Sequence, residues 1–219
     1  MHFEILVEDL SGKKMLEHLV PKIIDINKHS FSIKAYNGCG TLPKNLNRVV
    51  DPAKRVLLNR LPALLAGYGK SYEKANYAYA VIVVCDLDDR NKAVFLSELN
   101  HVLNSCAVVP NARFCLAVEE GEAWLLGDWY AIKKAYPSAN LNFFKKYKND
   151  SICGTWEVLA DIVYPGGVSG LKNSQVSVGK IKCEWAENIS PLMDINNNKS
   201  ESFNFFKNVI EELCVNDDI

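Results

Sequence analysis

Three acids, Asp86, Asp88 and Asp89, follow directly on the apolar run Val81-Ile-Val-Val-Cys85. Two similar junctions recur: Glu8-Asp9 after Ile5-Leu-Val7, and Glu119-Glu120-Gly-Glu122 after Cys115-Leu-Ala-Val118. Two carboxylates about 4 Å apart repel by about 4 kcal/mol at an effective dielectric near 20, so a gathered cluster must share protons or hold a cation. Oxygen ligands without histidine or cysteine suit Mg²⁺ or Mn²⁺, which take a few carboxylates and leave positions for water and phosphate oxygens. Glu8, Asp86, Asp88, Glu119 and Glu122 are therefore the candidate metal ligands, with Glu8, Asp86, Asp88 and Glu122 the candidate catalytic set. Arg90 and Lys92, just beyond the aspartates, are placed to meet a phosphate.

The elements that must position these acids alternate along the chain. Strands are expected at Phe3–Val7, Phe31–Tyr36, Tyr77–Cys85 and Arg113–Val118, and helices at Ser11–Val20, Asn45–Leu65 (despite Pro52 and Pro62), Ala93–Leu103 and Glu122–Tyr136. A near-continuous apolar run such as Tyr77–Cys85 implies burial on both faces, as in a parallel sheet. The expected fold is α/β: a Rossmann-like, mainly parallel sheet flanked by helices, in which ligands bind beyond the carboxyl ends of the strands. Residues 1–136 form this domain; residues 137–219 form a mostly helical extension packed on it, with helices at about Val178–Asn188 and Ser202–Cys214.

Twenty-five basic against 26 acidic residues leave a net charge near zero, which excludes the strongly basic surface of a non-specific nucleic-acid binder. Lys13, Lys14, Lys44, Arg48, Lys54, Arg55 and the Lys145-Lys146-Tyr-Lys148 run could form a local patch, although solvated helix faces account for most of them. Seven scattered cysteines, Cys153 among them, form no C-x-x-C pair and read as reduced thiols, so the expected location is the cytoplasm. No apolar run approaches the roughly 20 residues of a membrane span, and no membrane partner is expected. Gly67-Tyr-Gly-Lys-Ser71 ends like a phosphate loop, but Leu64 stands where the leading glycine is required.

Glu8 ending a first strand before a helix, with Asp86-Leu-Asp88 ending a later central strand, resembles the Toprim domain of topoisomerases, primases and overcoming-lysogenization-defect nucleases. The resemblance implies an acid–base role for Glu8 and Mg²⁺ binding by Asp86 and Asp88. More narrowly, Leu6-Val-Glu8, the Asp86–Asp89 cluster, Ala117-Val-Glu-Glu-Gly-Glu-Ala-Trp-Leu-Leu-Gly-Asp128 and Lys182-Cys-Glu-Trp-Ala-Glu-Asn-Ile-Ser-Pro-Leu-Met-Asp194, followed by Asn198 and Ser202-Phe203, are similar to bacterial proteins of domain-of-unknown-function family 4276. This implies a nuclease acting on DNA or RNA, in a phage-defence or mobile-element setting with an ATPase partner. Asp9 departs from the glycine usual after the first glutamate of Toprim domains.

Two other readings stay open. A haloacid-dehalogenase-like phosphatase also places D-x-D after an apolar strand, but requires Thr or Val where Arg90 stands. A regulatory or partner-binding module would keep the fold without turnover. Asp86 and Asp88 could also be turn residues, and Glu119, Glu120 and Glu122 could serve the electrostatics of a helix start.

Overall fold

The computed structural model describes residues 1–46, 51, 53–151 and 154–217; Arg48, Pro52 and Cys153 lie outside the described residues. The first 117 residues run β1 (His2–Val7), α1 (Leu10–Ile23), β2 (Ser30–Ala35), α2 (Leu57–Tyr72), β3 (Tyr79–Asp86), α3 (Lys92–Asn104) and β4 (Ala112–Ala117). The four strands form a sheet of order β2-β1-β3-β4, and every pairing is parallel. The chain steps from β1 to one side and then crosses to the other, so its direction reverses between β1 and β3. That reversal leaves a crevice at their carboxyl ends, where open α/β sheets bind ligands.

The two faces of the sheet are buried in different ways. Side chains alternate along each strand. Ile5, Val7, Ile82, Val84, Cys115 and Ala117 belong to one core, whereas Leu6, Val81, Val83, Cys85, Phe114 and Leu116 belong to a second, with α2 and α3. Two crossover helices cover the second face. The first receives only α1, which would leave the β3–β4 half open to water.

The C-terminal part closes that gap. It comprises α4 (Glu122–Leu126), α5 (Trp129–Ala135), α6 (Leu141–Phe144), α7 (Thr155–Val163), α8 (Gly167–Lys172), α9 (Val178–Ile189) and α10 (Glu201–Asp217). Helix α10 packs on β4 and α9 on α1. Trp124, wholly buried, lies against Phe203 and Phe206 at ring-centroid distances of 5.6 and 5.0 Å, and its Nε1 donates to Ser202 Oγ at 2.9 Å. The asparagine-rich stretch before α10 is an ordered polar knot. Asn198 donates to Trp124 O, Asp194 N–H donates to Asp128, and Ser200 and Ser202 bind the Asp150 carboxylate.

Three expectations are corrected. The helix expected over Glu122–Tyr136 is two, because Asp128 takes an extended backbone and caps α5 through Ala131 N–H; Gly127 before it leaves room for Asn198, whose Oδ1 would stand 1.9 Å from a Cβ there. The helix expected over Asn45–Leu65 begins only at Leu57, after extended Val56, and continues to Tyr72. Its expected start adjoins residues outside the described set. The extension holds the short helices α6, α7 and α8 besides the two expected, their brevity hiding the 3.6-residue period.

Because Phe203, Phe206 and Ile210 complete the first face of the sheet and cover Trp124, residues 1–136 alone are expected not to form a cooperative fold. Loss of near-ultraviolet circular dichroism and of a thermal transition in that fragment is the check; a sharp transition matching the full chain would refute it.

Candidate functional site

Val7 pairs with Val84 in adjacent strands, so Glu8, just past β1, meets the last residues of β3. Asp86 N–H donates to Glu8 Oε2 at 3.1 Å, tying the two carboxylate-bearing junctions together. Asp9 begins α1 as its N-cap, accepting from Gly12 N–H and Ser11 Oγ, both at 2.7 Å. That cap accounts for the acid at position 9, whose side chain faces the positive end of the helix. Glu122, 3% exposed, enters from the start of α4. These four acids line a cavity of about 20 Å³, with room for about one water molecule.

A residue not among the candidates completes the cluster. Lys182, from the first turns of α9, extends into the cavity and sets its Nζ 3.0 Å from Glu122 Oε2. Lys182 stands in helical register with buried Trp185, Ala186 and Ile189. A lysine on the apolar stripe of a helix is the signal that could have identified it, because buried ammonium groups require anionic partners.

The electrostatics follow from burial and crowding. Burial pushes the Glu8 carboxyl up from its ordinary value, opposed by hydrogen bonds from Asp86 N–H and the Cys39 thiol. Asp86 is pushed well up, first by burial and then by Glu8 and Glu122. Burial raises Glu122 to about 7, against the opposing charge of Lys182. Lys182 is itself raised, because the attraction of Glu122, Asp86 and Asp9 outweighs its desolvation. The two partners of the ion pair thus both move up. One ammonium faces four acids, so its charged form is stabilised while Glu8, Asp86 and Glu122 are driven toward their neutral forms.

The remaining candidates are placed elsewhere. Asp88 adopts a left-handed backbone (φ 50°), and its exposed carboxylate lies 3.2 Å from Arg90 Nη2, outside the cavity. The split arises because Leu87 N–H and Asp88 N–H continue the ladder to Ala117 O and Glu119 O while the chain turns. Arg90 is a brace: it donates to Asp86 O (3.2 Å), Gly40 O (3.5 Å) and Cys39 Sγ (3.6 Å), and its guanidinium lies 4.8 Å from the Phe95 ring centroid. Lys92 is exposed at the start of α3.

Glu119 and Glu120 turn to the N-terminus of α7. Glu120 accepts from Thr155 Oγ1 and Trp156 N–H, at 3.1 and 3.2 Å, while Glu119 accepts from Thr155 N–H. Together with Glu157 in the first turn, they place acids at the positive end of that helix. Burial and the neighbouring Glu120 and Glu157 raise Glu119 to about 7, and its buried Oε2 has no hydrogen-bond partner.

Among the described residues, no three histidine, cysteine, aspartate or glutamate side chains stand in an arrangement ready to hold a metal ion. Glu8 and Asp86 supply a pair, which matches the use of one or two carboxylates plus substrate phosphates by Mg²⁺. No helix among the described residues is long and apolar enough to cross a membrane. Comparison with family models, curated proteins and solved structures finds no match to this chain.

Raised acids make stability depend on pH with a definite sign. Between its ordinary 4.5 and about 7, Glu122 holds more proton in the native than in the unfolded state, so stability falls as pH rises through that window. In chelator, thermal unfolding at pH 5 to 8 is expected to show a loss on the order of 2 kcal/mol across this range, made shallower by Glu122→Gln. Equal slopes in both proteins would refute the assignment to Glu122.

Proposed function

We propose that this chain is a Toprim-like, divalent-metal-dependent phosphodiesterase acting on nucleic acid. The observation that carries the reading is the meeting of Glu8 and Asp86 at the carboxyl ends of adjacent strands β1 and β3, at the reversal of strand order. Two carboxylates held at a sheet switch point, beside a partly buried lysine, suit a phosphate-bearing ligand. Glu8 and Asp86 would hold the Mg²⁺ or Mn²⁺ ion, with Asp88 reaching it only after releasing Arg90. The ion, when bound, supplies Lewis-acid polarisation of a phosphoryl oxygen.

The chain's own residues divide the other tasks. Glu8, whose carboxyl is raised by burial, exchanges a proton with the attacking water or the leaving oxygen. Lys182 places a fixed positive charge beside the acids, limiting their repulsion as phosphate approaches. Arg90 holds the Asp86 carbonyl and the loop at Gly40 in fixed relation to the strand end. The phage-defence setting and ATPase partner follow from the Toprim-like resemblance.

One observation favours the alternative of a non-catalytic, partner-binding module: Lys182 already supplies a cation within a cavity of only about 20 Å³. A phosphatase reading needs Asp88 beside Asp86, whereas Asp88 faces Arg90.

Purified protein incubated with single- and double-stranded DNA and RNA in Mg²⁺, Mn²⁺ or chelator separates these readings. Metal-dependent cleavage is expected, lost at least 100-fold in Asp86→Asn and Glu8→Gln, with thermal unfolding still cooperative. Full cleavage by Asp86→Asn, or none by the wild type in any metal, would reject the catalytic reading.

A further inference from the structure

Two cysteines from different parts of the chain meet beside the acidic site. Cys85, 1% exposed, is the penultimate residue of β3 and shares the strand parity of Val81 and Val83, so its side chain enters the core on the α2–α3 face. Cys39, 8% exposed and part of the same core, sits in the turn after β2 between Gly38 and Gly40, which both take left-handed backbones (φ 96° and 72°). That turn is fixed from several sides. Gly38 N–H donates to Glu8 O at 2.7 Å, Leu57 N–H to Gly38 O at 3.1 Å and Leu58 N–H to Cys39 O at 2.9 Å. A Cβ on Gly40 would stand 2.2 Å from Val56 Cγ1, so the turn is packed down on the start of α2.

The sulfur atoms stand in a relay that ends on the site. The Cys85 thiol hydrogen-bonds to Cys39, and the Cys39 thiol donates to the Glu8 carboxylate. Arg90 Nη1 donates to Cys39 Sγ at 3.6 Å while the same nitrogen holds Asp86 O at 3.2 Å. A thiol beside a guanidinium, with a second thiol in contact, is the arrangement of an oxidation-sensitive cysteine and its resolving partner. Here both are tied to the two residues that define the site: Cys39 to Glu8 by a hydrogen bond, and Cys85 to Asp86 by the peptide bond.

We propose that Cys39 and Cys85 form a reversible disulfide that turns down the site at Glu8 and Asp86. What is regulated rests on the phosphodiesterase reading; the disulfide itself does not. With hydrogen peroxide as the oxidant, the Cys39 sulfur attacks one peroxide oxygen, the O–O bond breaks and water leaves, giving the sulfenic acid. The Cys85 sulfur then attacks the Cys39 sulfur, the S–O bond breaks and a second water leaves. The two thiols lose two electrons and two protons, and the peroxide gains them. Neither sulfur of the disulfide carries a proton, so Glu8 loses the hydrogen bond from Cys39 while keeping that from Asp86 N–H. A dithiol reductant restores both thiols.

Reduced protein is treated with hydrogen peroxide, desalted and divided: one portion is alkylated and digested for mass spectrometry, the other assayed for Mn²⁺-dependent hydrolysis of bis(p-nitrophenyl) phosphate. A peptide pair joined through Cys39 and Cys85 is expected, with hydrolysis lowered about tenfold, and dithiothreitol reverses both. Cys39→Ser is expected to keep its hydrolysis after peroxide within twofold of its own untreated rate. Cys183→Ser, at a half-buried thiol next to Lys182 in α9, is expected to respond as the wild type does. If Cys39→Ser does not fold, judged by thermal unfolding, the wild-type linkage and its reversal decide. Absence of the linked peptide overturns the proposal, as does a linkage that leaves hydrolysis unchanged. Full peroxide sensitivity in folded Cys39→Ser, or its loss in Cys183→Ser, also overturns it. A reversible linkage in a protein that hydrolyses no diester when reduced supports the disulfide and rejects the phosphodiesterase reading instead.

Discussion

Like charges gathered at the ends of buried strands repel, and the architecture of this protein is organised around containing that repulsion. Glu8, Asp9, Asp86 and Glu122 share a small cavity, with Lys182 the cation extended into it. Removing one partner from such a buried pair generally costs more than the pair's net contribution, because an unpaired charge is left behind. Two of the acids also have backbone or helix-end support. Glu8 receives Asp86 N–H, and Asp9 caps α1.

The same constraint explains why a four-stranded sheet carries so large a helical extension. The crossovers put α2 and α3 on one face and only α1 on the other, so apolar strand residues beside α1 remain exposed until the C-terminal helices arrive. Covering them brings α9 alongside α1, where Lys14 pairs with Glu187 and Lys22 donates to the carbonyls of Ser190, Pro191 and Met193. The α1–α9 contact then delivers Lys182 to the acids. Core completion and site completion are one packing event.

Acids at strand ends do not all share a destination. Asp86 lies in strand parity with Ile82 and Val84 and faces the helices that complete the site, whereas Asp88 comes after a left-handed turn and meets Arg90. Glu119 and Glu120 follow β4 but are drawn to the N-terminus of α7, whose unsatisfied N–H groups compete for them. A helix start more than 30 residues downstream thus diverts carboxylates that strand position alone assigns to the crevice.

Alternating apolar and helical periods determined the strands, the parallel sheet and the presence of three crossover helices, though not the bounds of α2, because burial on both faces imposes near-continuous apolar runs and amphipathic helices impose a 3.6-residue period. The acid-bearing junctions at Glu8 and Asp86 were legible for the same reason: a buried strand has a sharp end. The break at Asp128 was not, because the carboxylate that caps α5 also accepts from Asp194 N–H, 66 residues away in the chain. Nor was the role of Lys182, visible only as a cation on an apolar stripe until α9 packed against α1. Sequence by itself determined which acids are held at strand ends. Tertiary structure decided which of them share a cavity and which cation joins them, since local periodicity carries no information about the distant helices that compete for a carboxylate.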